Sequence, residues 1–364
     1  MNISDYIKEF GDKTFNERAF NEVDSLIFAE LSYLYFEKLI ELVPPEKTLS
    51  DLSVHMKELV EHTVLPRSNT KLLSNAATSA RFKNVKVGWV NQSFDEEKTI
   101  QFAGVTFMLE DGTAVVAFRG TDASIVGWKE DFNMAFLSEI PAQGLAVEYL
   151  NKVAAEVTAD LIVCGHSKGG NLAVYASVFC DKAVRSRIKA IYNHDGPGFN
   201  ENIFSKAEYV EIKDRIFKLV PHDSLIGMLL EHTDDYKVVP CNSASIGQHN
   251  PFSWKVKDDN GFMEKPKTTI TSKLADKTMY TFINDMTVDQ RKAFVNGLFT
   301  VIEGCGVTFL YELRTEPLRR LNGMMKAYFA LTGEEKKLMA LGGMRFVKTW
   351  FKSIVSWNDE EQDS

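Results

Sequence analysis

The chain has 364 residues, 45% apolar and 25% charged, which is the composition of an ordinary soluble globular protein long enough for one large α/β domain with helical additions. Its 42 basic and 50 acidic side chains leave a formal charge of −8, so no basic excess is available to neutralise phosphates and nucleic acid is excluded as an expected partner. The opening MNISDYIKEFGDKTF holds no apolar run suited to a signal peptide, and no segment approaches the ~20 uninterrupted apolar residues of a bilayer span, so a cytoplasmic address is expected.

From Thr14 the stretch TFNERAFNEVDSLIFAELSYLYFEKLI is predicted to be helical. Thr14 and Glu17 form a capping box, Phe20, Val23, Leu31 and Leu34 recur at helical spacing, and Pro44 and Pro45 end the run. Leu49 to Val64 is a second, weaker helical stretch. Strands begin at Val85 to Val90, and Ile100 to Leu109 with Thr113 to Phe118 reads as a hairpin turning at Asp111-Gly112. The second hairpin strand runs into Arg119-Gly120-Thr121-Asp122, and Gln143 to Val157 reads as a helix.

The densest chemical signal is LIVCGHSKGGNLAVYA, Leu161 to Ala176: a buried apolar strand, a glycine-rich turn, then a helix. Gly165, Ser167 and Gly169 fit G-x-S-x-G, in which a nucleophilic serine occupies a strained turn and small neighbours let strand and helix pass closely. Ser167 is therefore the candidate nucleophile, and the Lys168 N–H at the helix start is a candidate oxyanion donor. Three further strands, Ile188 to Tyr192, Arg215 to Val220 and Tyr236 to Cys241, each end in polar residues, as a mostly parallel sheet with a reactive edge would produce. Beyond about Lys265 the pattern is helical without strand signals, with capping boxes at Thr287/Gln290 and Thr332/Glu335 and an acidic tail, NDEEQDS.

Serine needs a base oriented by a carboxylate, and on such sheets the chain order is serine, acid, histidine. Of the seven histidines, His55 and His62 precede the sheet, His166 adjoins the serine, His194 and His222 each precede an acid, and His232 lies in a polar run. His249, last in order and in a loop after the last strand, is taken as the base. Asp195 and Asp223 both follow strands; Asp223, one strand later, is preferred as the acid, with Asp195 the alternative. Thr121 is placed to supply the second oxyanion donor, and Arg119 and Asp131 to tie its loop down. The four cysteines are widely spaced, two of them inside apolar elements, and read as reduced and buried.

In this order, VVAFRGTD, WKEDF, GHSKGGNLA, YNHDGPGF, LVPHDSLIGMLL and QHNPFSW resemble the Mbeg1-like proteins of the α/β-hydrolase superfamily and, more distantly, the class 3 lipases, over roughly Asp24 to Lys257. The resemblance implies an α/β-hydrolase fold, a Ser167, Asp223 and His249 triad, and an oxyanion hole at Thr121 and Lys168. Lys168 departs from the class 3 lipases, which carry an apolar residue there. The expected organisation is an N-terminal helical segment (1–65), an α/β-hydrolase core (66–264), a C-terminal helical subdomain (265–357) and an acidic tail (358–364). The expected function is a serine esterase or lipase-like hydrolase that cleaves a small acyl ester, thioester or lipid-like substrate without metal or organic cofactor; the alternative is a non-catalytic binding protein of the same fold. KKLMALGGMRFVKTWFKSIVSW segregates Arg345, Lys348 and Lys352 from Met344, Val347, Phe351 and Ile354, a pattern suited to weak contact with a membrane surface, although a helix packed on the body is preferred because Gly342 and Gly343 weaken an isolated helix.

Overall fold

The computed structural model describes all residues except 40–45, 62, 123, 135–136, 200–202, 231–232, 234, 244, 270–285, 309–311, 313–316 and 342–364. Helices α1 (Ile3–Phe10) and α2 (Glu22–Leu31) each open on an asparagine cap, Asn2 and Asn21, whose side chain accepts first-turn N–H groups while Asp5 or Asp24 reaches back to the cap. Thr14 and Glu17 do bond through their side chains, yet no helix starts there. The buried Arg81 guanidinium pairs with Asp24 (Nη2 to Oδ2, 2.5 Å) and donates to the carbonyls of Lys13, Thr14, Arg18 and Ala19, acceptors that a helix would need for its own ladder. The predicted helix therefore shrinks to α2.

Strand β1 (Lys47–Thr48) leads into α3 (Leu49–Leu52), a 3-10 turn at Ser53–His55 and α4 (Met56–Val60), so the second helical stretch is broken into short pieces. Helix α5 (Pro66–Thr78), with proline in its first turn, follows without having been predicted. The remaining strands are β2 (Lys86–Asp95), β3 (Ile100–Met108), β4 (Ala114–Phe118), β5 (Leu161–His166), β6 (Ile188–His194), β7 (Ile216–Pro221) and β8 (Lys237–Val239). The hairpin turns where expected, with Gly112 at φ +86°.

The sheet has eight strands in chain order, antiparallel from β1 to β4 and parallel from β4 to β8. Its crossovers run through α6 (Ile125–Asn133), α7 (Pro141–Glu156), α8 (Lys168–Phe179), α9 (Lys182–Arg185) and α10 (Ala207–Ile212). Without a reversal in strand order, right-handed crossovers place their helices on one face, where Val116, Phe118, Tyr149, Leu172 and Ile191 form a core. The other face would lie bare, and β4 and β5 are buried along their whole length. Helix α2 covers it, packing across β4, β5 and β6 and burying Leu26, Ile27, Phe28 and Leu31 against Phe107, Val115 and Cys164 in a second core. A mostly parallel sheet between two helical layers, with the β5–α8 turn at its carboxyl edge, is the α/β-hydrolase fold.

Helix α11 (Val288–Glu303) starts at the Thr287/Gln290 capping box and packs on α6 and α12 (Pro317–Ala330); the Thr332/Glu335 box is also formed. The segment from Met344 to Ile354 and the acidic tail lie outside the described residues. All four cysteines are free and buried, and among the described residues no helix is long and apolar enough to cross a membrane.

Because Phe28 is fully buried among Phe15, Phe20, Phe82 and Phe107, Phe28→Ala is expected to lower the unfolding free energy by ~3–5 kcal/mol in urea with an unchanged slope. A cost below ~1 kcal/mol would mean that the α2 layer unfolds separately from the sheet.

Candidate active site

Ser167 sits between β5 and α8 with φ +58° and ψ −133°, a left-handed conformation unusual for a residue with a side chain. Close packing holds it there: a Cβ on Gly165 would run into the Gly169 carbonyl, and one on Gly169 into the Phe118 carbonyl of β4. Ser167 N–H donates to the His194 carbonyl of β6 (2.9 Å), so the turn is still tied to the sheet.

His249 ends a 3-10 segment, Ser245–His249, after β8. Its Nε2 lies 2.9 Å from Ser167 Oγ and its Nδ1 2.7 Å from Asp195 Oδ2. The Asp195 side chain is wholly buried, whereas that of His249 is 24% exposed, so an incoming molecule can reach the serine end of this series but not the acid end. The other Asp195 oxygen accepts from Ser224 Oγ (2.5 Å) and Gly227 N–H (3.2 Å), which aims the carboxylate.

The carboxylate that the structure sets against His249 is thus Asp195, and not Asp223, the expected partner. His166 and His194 are register partners on β5 and β6, so the residues that follow them, Ser167 and Asp195, leave neighbouring strands side by side. Asp195 even shares the positive φ, +51°. Asp223 follows β7, one strand further out, and binds Gln248 (Nε2 to Oδ2, 3.2 Å) and Thr269. It supports the residue before His249 and not the imidazole. The parallel between GHS and NHD, each a histidine at the end of a strand and then the residue that meets His249, was the legible signal for Asp195.

Thr121 follows β4, which pairs with β5 through Phe118 and Gly165, and so stands beside the elbow. Its hydroxyl donates to Asp131 Oδ2. The Lys168 N–H, first in α8, has no acceptor within its own helix. The Lys168 side chain, buried, donates to Glu130 Oε2 (2.7 Å), Gln101 Oε1 (2.6 Å) and the Gln101 carbonyl (2.8 Å), with Asp131 4.0 Å away. Burial opposes its positive charge, but Glu130 and Asp131 outweigh burial and raise its pKa. Burial in turn pushes Asp131 up to about 6, although Lys168 and Thr121 pull it down. The expected tethering of this loop by Asp131 is present, while the clamp by Lys168 was missed. Arg119 faces the opposite way, into the α2 layer, where it donates to Ser32 and Leu34 carbonyls and to both Glu37 oxygens.

His166 and His194 also face that layer. His194 Nε2 shares a hydrogen bond with Ser25 Oγ (2.8 Å), and burial lowers its pKa to about 3. His166 Nδ1 lies 3.3 Å from both Tyr33 Oη and Glu30 Oε1. Burial first, then His249 and His194, hold His166 well below the usual imidazole range, and burial pushes Glu30 up to about 8. Burial thus disfavours the charged form of both Glu30 and His166, despite their ion-pair distance. Elsewhere a cavity of about 220 Å³, lined by Val174, Pro197, Phe199 and Tyr209 among others, includes none of Ser167, His249 and Asp195. Among the described residues no group of three or more His, Cys, Asp or Glu side chains could hold a metal ion.

Lys168→Met would strand the Glu130 carboxylate in the interior and is expected to cost ~3–5 kcal/mol in urea unfolding; a cost under ~1 kcal/mol would mean that Glu130 takes up a proton instead. For Glu30, the folded chain keeps its proton up to about pH 8, whereas the unfolded chain releases it near 4.5. Stability contributed by the protonated group is full below the lower value and falls as pH rises through this window, by up to ~1.4 kcal/mol per pH unit. The stability advantage of Glu30→Gln over the parent should therefore widen from pH 5 to pH 8 in chemical denaturation and then level off. A difference that does not vary with pH would show that Glu30 is already ionised in the folded chain.

Comparison with curated proteins gives no match. A solved structure described as the crystal structure of M37 lipase is similar at 15% identity and a TM-score of 0.37, over 58% of this chain and 71% of that one. The Mbeg1-like family matches residues 76–300, more than half of the chain, and includes the elbow, Asp195 and His249. The chain belongs to the Mbeg1-like family.

Proposed function

We propose that this protein is a serine hydrolase that cleaves an ester or thioester of a small acyl or lipid-like substrate through an acyl-enzyme. The observation that carries the reading is the series Ser167 Oγ, His249 Nε2 (2.9 Å), His249 Nδ1, Asp195 Oδ2 (2.7 Å), begun by a serine in a left-handed turn. Asp195 keeps the proton of His249 on Nδ1, which leaves the Nε2 lone pair facing the hydroxyl. Ser167 Oγ attacks the acyl carbon as His249 takes its proton, and the carbonyl π electrons move onto oxygen. The negative charge develops beside α8 and is met by the Lys168 N–H, with the Thr121 main chain as the second donor. Collapse of the tetrahedral adduct expels the alcohol or thiol, which receives the proton from His249. Water, activated by the same nitrogen, then attacks the acyl-serine and releases the acid.

The buried acid and partly open base suit this role, because the imidazolium formed in the transition state is stabilised by a carboxylate that water does not screen. Ser167→Ala is expected to abolish both turnover of p-nitrophenyl esters and labelling by a fluorophosphonate, with melting unchanged. Asp195→Asn should lower kcat by roughly 10³–10⁴-fold, by analogy with loss of the orienting carboxylate in serine proteases, and Asp223→Asn by less than ~10-fold. Undiminished turnover in Ser167→Ala would refute the hydrolase reading, and equal losses in the two aspartate variants would refute the assignment of the acid.

A further inference from the structure

We propose that Glu30 of α2, acting through His166, is a positioning residue for the base His249. This rests on the reading of His249 as the base. Neither Glu30 nor Tyr33 lies within residues 76–300, the part of the chain that matches the family.

The hydrogen-bond directions can be assigned one at a time. His166 Nε2 lies 2.9 Å from the main-chain carbonyl of His249, and a carbonyl only accepts, so Nε2 carries the proton. Burial disfavours a second proton on this ring, and Nδ1 then presents a lone pair to the interior. Two groups face it at 3.3 Å. Tyr33 Oη is also 3.4 Å from the carbonyl of His166 and can donate there. Glu30 Oε1 is buried and accepts no hydrogen bond, so as a carboxylate it would set charge against a lone pair with nothing between them. As a carboxylic acid it donates to Nδ1, and each proton then has one acceptor: Glu30 to His166, His166 to the His249 carbonyl. The raised pKa of Glu30 agrees with this arrangement. The other titratable groups facing the cluster are His194 and His249 beside His166, and Arg119, Asp122 and Asp131 beside Tyr33.

What the series holds is the backbone of the base. The carbonyl of Gln248 accepts from Trp254 Nε1 (2.9 Å) and the next carbonyl, that of His249, from His166. Two consecutive peptide groups are thus pinned by aromatic N–H donors, and the His249 ring stands with its centroid 4.6 Å from that of His166. Freed of one pin, the loop can rotate Nε2 away from Ser167.

The test compares the parent with Glu30→Leu, Glu30→Gln and His166→Ala, each first checked for cooperative melting. Two readouts are used: kcat and KM with the fluorophosphonate labelling rate, and the downfield proton-NMR signal of His249 Nδ1–H bonded to Asp195, which needs no substrate. Glu30→Leu and His166→Ala are expected to lower kcat and labelling by ~10- to 100-fold with KM within about twofold, and to broaden the downfield signal. Glu30→Gln, which keeps an N–H donor, should recover most of the rate. Parent kcat should also decline above about pH 8, and that of Glu30→Gln should not. Folded Glu30→Leu and His166→Ala proteins with parental labelling and an unaltered signal would overturn the proposal. If the parent itself fails to label, the hydrolase reading falls, and the downfield signal alone decides whether Glu30 and His166 position His249.

Discussion

A serine held at φ +58° is the constraint on which the rest of the structure depends. Such a conformation costs on the order of 1–3 kcal/mol and persists only where the surroundings leave the chain no alternative. Here the Ser167 N–H is bound to the β6 carbonyl of His194, the Ser167 carbonyl receives the Gly170 N–H, and Gly165 and Gly169 let β5, α8 and the end of β4 meet at backbone contact. Asp195 repeats the device one strand away, its N–H on the Leu219 carbonyl of β7. Two adjacent strands thus end in left-handed turns, and the side chains of those turns converge on His249 from below.

The same strand ends explain the buried cations and imidazoles beneath the site. In a strand, successive side chains point to opposite faces. The strand-end residues Arg119, His166 and His194 therefore point into the α2 layer. There the helix and the turn after it supply a partner for each: Ser32, Leu34 and Glu37 for Arg119, Glu30 and Tyr33 for His166, and Ser25 for His194. A sheet in strict chain order has its crossovers on one face, and among the described residues helix α2 takes the other, with Trp254, Val256 and Phe262 from the segment after β8 in the same core. The α2 layer is at once the second half of the core and the underside of the site.

Much was legible because it is written locally. Apolar runs of strand length, a glycine turn at Asp111-Gly112, the Thr287/Gln290 box and the G-x-S-x-G turn each occupy a few adjacent residues, and the structure forms all of them. The failures share a different cause. Thr14 to Asn21 carries helical spacing, but a guanidinium some 60 positions away takes its carbonyls. Asp223 and Asp195 look alike as polar residues after strands, and which of them meets His249 depends on how β5, β6 and β7 pair. Lys168 looks like a surface residue until α6 closes over it with Glu130.

From its sequence alone this chain declared an α/β sheet and a strained G-x-S-x-G turn at Ser167, because backbone conformation and side-chain periodicity are properties of neighbouring residues. Only the tertiary structure decided that Asp195 meets His249, that Lys168 and Arg81 are buried clamps, and that Glu30 and His166 face each other in the interior. Those assignments turn on strand register and on exclusion of water, and both arise only when segments distant in the chain are brought together.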